Sequence, residues 1–305
     1  MNRLFPLMQR EWLQHRFGWA LLALVPLALA LVLASFGQVE FDGGEPERMG
    51  EALPALIALG SVAASTALVF LILWVTSVFI TTGLARRDHG DRSIEFWLSL
   101  PVGHVPSLAV PMLVHLILVP AAALAVGLLG GYAISLVLVS RFVGLSAWFA
   151  LPWGDLAAAT LALTLRLVAG LPLATLWLLP IILLAVLSKA WIGRWGLPVL
   201  GLALALGGIL LDRALGQPVL LQWLAEVGRN AGLAMAGASR HAGFQAHSAG
   251  EAFEALRAVP GWALSDLGAA LLAAASPTFL FGLVLSAGCF ALLVEFRRRG
   301  TKAAD

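Results

Sequence analysis

The amino-acid sequence predicts an all-α integral membrane protein. It would have six transmembrane helices, an N-terminal interfacial helix and a helical external segment between spans five and six. Three observations carry this. Of 305 residues, 60% are hydrophobic and 12% charged, against about 25% charged in ordinary soluble domains, and mean hydropathy is +0.93. Apolar runs recur at bilayer-spanning length. Arginines fall asymmetrically between them.

A helix crossing about 30 Å of hydrocarbon needs roughly 20 apolar residues. Six stretches qualify: 17–36, 54–82, 107–139, 156–187, 196–215 and 275–295. The second, third and fourth exceed a minimal span, so they tilt or continue past the bilayer as stalks. Pro111, Pro120, Pro172 and Pro180 lie inside these runs, where lipid-phase helices tolerate kinks. Arg3, Arg10 and Arg16 precede the first run as in a secretory signal. Its apolar stretch is longer than a signal's core and follows an amphipathic segment, so it reads as a retained anchor.

The positive-inside rule orients the spans. With both termini cytoplasmic, the inner side holds Arg3, Arg10, Arg16, Arg86, Arg87, Arg92, Lys189, Arg194, Arg297, Arg298, Arg299 and Lys302 in short segments. The outer side holds Arg48, Arg141, Arg213, Arg229, Arg240 and Arg257 in longer ones, and Glu40, Asp42, Glu45, Glu47 and Glu51 crowd the first outer loop. Residues 1–16 read as an interfacial helix, with Leu4, Met8, Trp12 and Leu13 on one side and Arg3, Arg10 and Glu11 elsewhere. The outer segment 212–274 is far longer than a hairpin needs. Its parts 220–235 and 251–272 have helical patterns and suit a small external cap. Abundant Ala, Leu and Gly with only Lys189 and Lys302 as lysines fit a GC-rich bacterial genome.

The inner segment Leu84–His104 is the most informative. Asp91 offers an N-cap and Glu95 lies near the positive end of the helix dipole. Ile94, Trp97 and Leu98 share one face, and Pro101 closes the helix. A solvated inner loop accounts for the arginines but not for Phe96-Trp97 in ordered apolar spacing, unless these are interfacial aromatics.

The run Arg-Asp-His-Gly-Asp-Arg-Ser-Ile-Glu-Phe-Trp-Leu-Ser-Leu-Pro-Val (87–102) resembles the coupling-helix region of ABC-2 type transporter permeases. The N-terminal interfacial helix, six spans and enlarged external segment match that family's plan, and Ser188–Trp195 sits where the family places its other cytoplasmic contact. Only 87–102 is specific at residue level. The resemblance implies a transmembrane subunit in a bacterial inner membrane, paired with a second copy or a paralogue and with two copies of an ATPase subunit. It implies export, with Asp91, Arg92, Glu95, Phe96 and Trp97 docking into the ATPase and Arg86, Arg87 and Asp88 as ionic flanks. The chain carries no G-x-x-x-x-G-K-[ST] phosphate loop. No cofactor is therefore expected in it; ATP and magnesium belong to the partner.

Other residues carry weaker expectations. Arg166 lies deep in the fourth run, where a charge marks a functional or paired site or else snorkels or caps a backbone carbonyl. His115 reads as packed or hydrogen-bonded rather than as a ligand. His241, His247 and Glu251 match no usual zinc spacing, and Cys289 stands alone, without a disulfide framework. Gly127-x-x-x-Gly131 and Gly201-x-x-x-Ala205 suit close helix packing. Hydroxyls at Ser61, Ser65, Thr66, Thr76, Ser77, Thr81 and Thr82 line span two or bond back to their own helix. No H-E-x-x-H or G-x-S-x-G motif supports an enzyme, and the net charge of +2 without a basic stripe argues against a nucleic-acid partner. Two further readings stand beside the permease: an ion-coupled secondary carrier, which predicts intramembrane acids or a broken-helix repeat in two halves, and a membrane anchor or assembly factor for an envelope system.

Overall fold

The computed structural model describes residues 4–37, 50–90, 103–238 and 249–302, and among these every regular element is helical. In chain order they are α1 (Leu4–Phe36), α2 (Leu53–Gly90), α3 (His104–Leu113), α4 (Val119–Phe142), α5 (Leu145–Phe149), α6 (Trp153–Ile192), α7 (Gly196–Leu215), α8 (Val219–Met235), α9 (Ala249–Ala273) and α10 (Pro277–Lys302). A π-helical turn, Val114–Leu118, joins α3 to α4 without a break.

Five helical stretches among the described residues are long and apolar enough to cross a membrane: Leu4–Phe36, Leu53–Ala85, His104–Phe142, Trp153–Ala214 and Pro277–Arg298. The fourth contains both α6 and α7, divided by a 3₁₀ turn at Gly193–Trp195. Gly193 has φ of 74° there, a left-handed value that favours glycine at a helix end. Large apolar side chains face outward along the bundle, including Leu21, Leu24, Leu29 and Leu33 on α1 and Leu202, Leu206 and Leu210 on α7. Such a surface suits lipid rather than water. The protein has the character of a multi-pass membrane protein.

The first helix departs from the sequence reading. Residues 1–16 do not form a separate interfacial element over the described part, because α1 runs unbroken through all 33 residues from Leu4. Leu4, Trp12 and Leu13 face outward while Glu11 is completely buried. In a lipid-facing bundle the apolar stripe belongs outside, and a carboxylate turns inward to find donors.

The most extensive helix pairing joins α2 to α4. Gly127 and Gly131 make it possible. A Cβ at Gly127 would sit 2.6 Å from Thr66 Cα, and one at Gly131 would sit 2.5 Å from Val62 Cα. Ser65 uses the closeness, donating to the Gly127 carbonyl at 2.9 Å. The small-residue pair thus serves contact within the chain. Gly201, by contrast, faces open space. Most span-two hydroxyls that bond do so locally: Ser61 to Ile57 O, Thr81 to Ser77 O and Thr82 to Phe79 O.

Two apolar clusters define the ends of the bundle. One gathers Leu84 and Ala85 at the close of α2, Leu108 in α3, Val186 and Ala190 late in α6, and Cys289 and Leu293 in α10. The other gathers Ala55 and Ala58 at the start of α2, Leu151, Leu156 and Ala159 around the start of α6, and Leu256 and Val259 in α9. At that second end Arg141 donates to Ala34 O at 3.0 Å, capping a carbonyl near the end of α1.

Candidate functional site

The segment with the most specific sequence pattern leaves α2 and returns at α3. Asp91, Arg92, Glu95, Phe96 and Trp97, and the side chains of Arg86, Arg87 and Asp88, lie outside the described residues. Its anchorage is described. The chain departs at the end of α2, five residues past Ala85, and re-enters at His104, four before Leu108; Leu84, Ala85 and Leu108 belong to the cluster that also holds the end of α6 and part of α10. The turn at Gly193–Trp195 begins three residues after Ala190. Lys189 links the same neighbourhood, donating to Thr82 Oγ1 at 3.3 Å. Two sequence-distant segments, 86–103 and 188–195, are therefore rooted at one end of the bundle.

Within the helices two polar nodes stand out. The first centres on Arg166 of α6, only 2% exposed. Its Nε and Nη2 donate to Asp266 Oδ2 of α9 at 3.0 and 2.8 Å. Nη1 and Nη2 also donate to the Ala234 and Leu233 carbonyls at the end of α8, at 2.7 and 3.2 Å. Gly237 N–H adds a third donor to Asp266 Oδ2 at 3.1 Å. The guanidinium's fixed fork serves carboxylate and carbonyls together, so Arg166 is both paired with Asp266 and a cap on two backbone carbonyls. Gly170, one turn on, gives the room: a Cβ there would collide with Ala234 O and with Arg166 Nη1. Asp266 escaped the sequence reading because partners were sought only within the spans. The available signal was an acid inside the apolar stretch 262–272.

The second node joins α1 to the π-helical turn. His115 Nε2 and Glu11 Oε2 lie 3.1 Å apart, both side chains 0% exposed. His15 falls four residues after Glu11, hence on the same helix face. Its ring centroid is 5.2 Å from that of His115, and Trp19 closes the group at 5.5 Å from each imidazole. One ligand atom from each of Glu11, His15 and His115 lies within 4.8 Å of the others. The π turn has a local cause: Pro120 offers no N–H to the Leu116 carbonyl, which accepts from Thr175 Oγ1 at 3.4 Å. Of the outer-loop trio, His241 and His247 lie outside the described residues, and Glu251 lies in the first turn of α9.

Three apolar cavities accompany these nodes. One of about 420 Å³ lies between α2, α6 and α9, lined by Leu59, Leu163, Phe253, Leu256 and Trp262. A second of about 300 Å³ shares Leu59, Leu163 and Trp262 and extends to Arg166 and Phe70. The third, about 520 Å³, lies between α3, α6 and α10 against Met112, Leu116, Thr175 and Phe290.

Comparison with protein-family models, with curated proteins and with solved structures returns no match to this chain.

Proposed function

We propose that this chain is the transmembrane permease subunit of an ATP-driven ABC-2 type transporter, exporting a hydrophobic or amphipathic substrate. In this reading α6 and α7 are separate crossings on either side of the 193–195 turn, giving six spans, with both termini on the cytoplasmic side of a bacterial inner membrane. Two ATPase subunits supply ATP hydrolysis, and a second copy or a paralogue completes the pathway.

The observation that carries the reading is the run 87–102, with its Asp91 cap, Glu95 and Phe96-Trp97, rooted at the same bundle end as 188–195. A motor that closes on ATP needs a structured handle at the membrane surface. A handle seated on the α2–α3–α6–α10 cluster would pass a push into the longest helices of the bundle. At about 1.5 Å per residue, the 38 residues of α2 and the 40 of α6 are rigid levers longer than the hydrocarbon is thick. The apolar cavities suit a greasy substrate.

The test is a pull-down of the tagged protein in mild detergent, comparing wild type with the Asp91→Ala/Trp97→Ala double variant. An ATPase recovered by wild type and lost in the variant supports the reading. Absence of an ATPase from both sinks it. One observation favours a second reading: Glu11 and His115 form a buried carboxylate–imidazole pair, the kind of group an ion-coupled carrier uses. Gradient-driven uptake by the chain alone in liposomes would establish that alternative.

A further inference from the structure

We propose that Glu11, His15 and His115 form a transition-metal site of the zinc class that ties α1 to the π-helical turn. The inference is independent of whether the chain works with an ATPase.

The donor set is two imidazoles and one carboxylate, the combination that holds Zn²⁺ with a coordination position left open for water. Glu11 and His15 stand at i and i+4 on α1, so one helix face presents both donors. His115 arrives from another helix, 100 residues after His15 in the chain, inside a π turn. Such turns re-aim a side chain at the cost of a regular hydrogen-bond ladder and recur at functional positions.

Distances suit the ion. Zinc bonds of about 2.0–2.1 Å put neighbouring ligands of a tetrahedron roughly 3.3 Å apart. Glu11 Oε2 and His115 Nε2 are 3.1 Å apart, and all three donor atoms lie within 4.8 Å of one another. For His15 to be the third ligand, its donor nitrogen must close from within 4.8 Å to about 3.3 Å of the other two. The surroundings favour a cation too. Glu11 and His115 are wholly buried, and a divalent ion offsets the cost of a carboxylate held in an apolar interior. Trp19 covers the group, 6% exposed, and limits water.

The functional consequence is mechanical. Apart from the Arg141 hydrogen bond to Ala34 O at its far end, α1 meets the π turn and α4 through apolar side chains such as Trp19, Ala23 and Leu27 clustered with Val114, Val119 and Ala123. Those contacts slide easily in lipid, where helix association gains nothing from the hydrophobic effect. A metal bridge at Glu11, His15 and His115 would fix the register of α1 on the turn.

The test uses the full chain, purified in detergent with its affinity tag removed, stripped with a chelator and equilibrated with Zn²⁺. Elemental analysis should give about one zinc per chain. Retention should fall roughly tenfold or more in Glu11→Gln, His15→Asn and His115→Asn, while the control His104→Asn keeps the metal. Wild type at the background level, or zinc kept by all three ligand variants, would overturn the proposal. Should the variants fold poorly, Co²⁺ added to wild type decides the matter. Strong visible d–d absorption of a four-coordinate site that Zn²⁺ displaces supports it. The weak spectrum of six-coordinate, solvent-like Co²⁺ refutes it.

Discussion

Removing the Asp266 carboxylate should be the most damaging single change in the described bundle. Asp266 Oδ2 accepts from Arg166 Nε, Arg166 Nη2 and Gly237 N–H, and the two charged side chains are 1% and 0% exposed. In Asp266→Ala the guanidinium keeps the Ala234 and Leu233 carbonyls but has no carboxylate at its Nε edge. Stripping one partner from a buried ion pair costs about 3–5 kcal/mol. Three lost hydrogen bonds involving a charged group, two from Arg166 and one from Gly237 N–H, at about 1.5–3 kcal/mol each, reach or exceed that range. That is roughly two to three and a half orders of magnitude in the folding equilibrium. The double variant Arg166→Leu/Asp266→Ala removes both charges but takes these partners from three backbone groups, the Ala234 and Leu233 carbonyls and the Gly237 N–H, at up to about 1–3 kcal/mol each. Because each single variant already breaks the same guanidinium–carboxylate contact, the double variant should cost less than the sum of the two singles. The assay is SDS titration in mixed micelles followed by tryptophan fluorescence, run as a double-mutant cycle. A loss below about 1 kcal/mol in Asp266→Ala, or a double variant as unstable as the sum of the singles, would refute the reasoning.

Other expectations follow from the same geometry. Asp155→Asn breaks the exposed Arg257–Asp155 pair and should move stability by less than about 1 kcal/mol in the same titration, because solvent screens it. Gly131→Val should push α2 from α4, destabilising by about 1–3 kcal/mol or more; a cysteine cross-link between the two helices would then form more slowly. Gly170→Ala should displace the Ala234 carbonyl from Arg166 and lower the melting temperature, an effect that thermal unfolding reads directly. Thr175→Val leaves the Leu116 carbonyl beside Pro120 without its hydroxyl donor and should cost about 0.5–1.5 kcal/mol.

The helical membrane character was legible because hydropathy acts over twenty-residue windows and needs no tertiary knowledge. Both helices of the segment 212–274 were legible too, from their periodicity. Pairing was not. Arg166 announced itself as an expensive charge, but Asp266 lies 100 residues away, and nothing local tells an acid which arginine it will meet. Glu11 was placed off the apolar side of the first helix, but its burial against His115 of another helix was not legible locally. The structure turns Trp12 and Leu13 outward and Glu11 inward, the arrangement lipid favours. His115 was legible as a packed or hydrogen-bonded histidine, but its neighbours, Glu11, His15 and Trp19, were not, because they come from α1. The Gly127/Gly131 pair signalled close packing correctly, though its partner surface, Ser65, Thr66 and Val62 of α2, followed only from the fold.

The central claim is that a separate ATPase grips segment 87–102. The most direct measurement places a photo-crosslinking amino acid at position 97 in cell membranes and identifies what it captures. A covalent adduct with an ATPase subunit, its yield changing with ATP and absent from a control at position 202 on the outward face of α7, is the predicted result. Crosslinks to lipid alone would contradict the account.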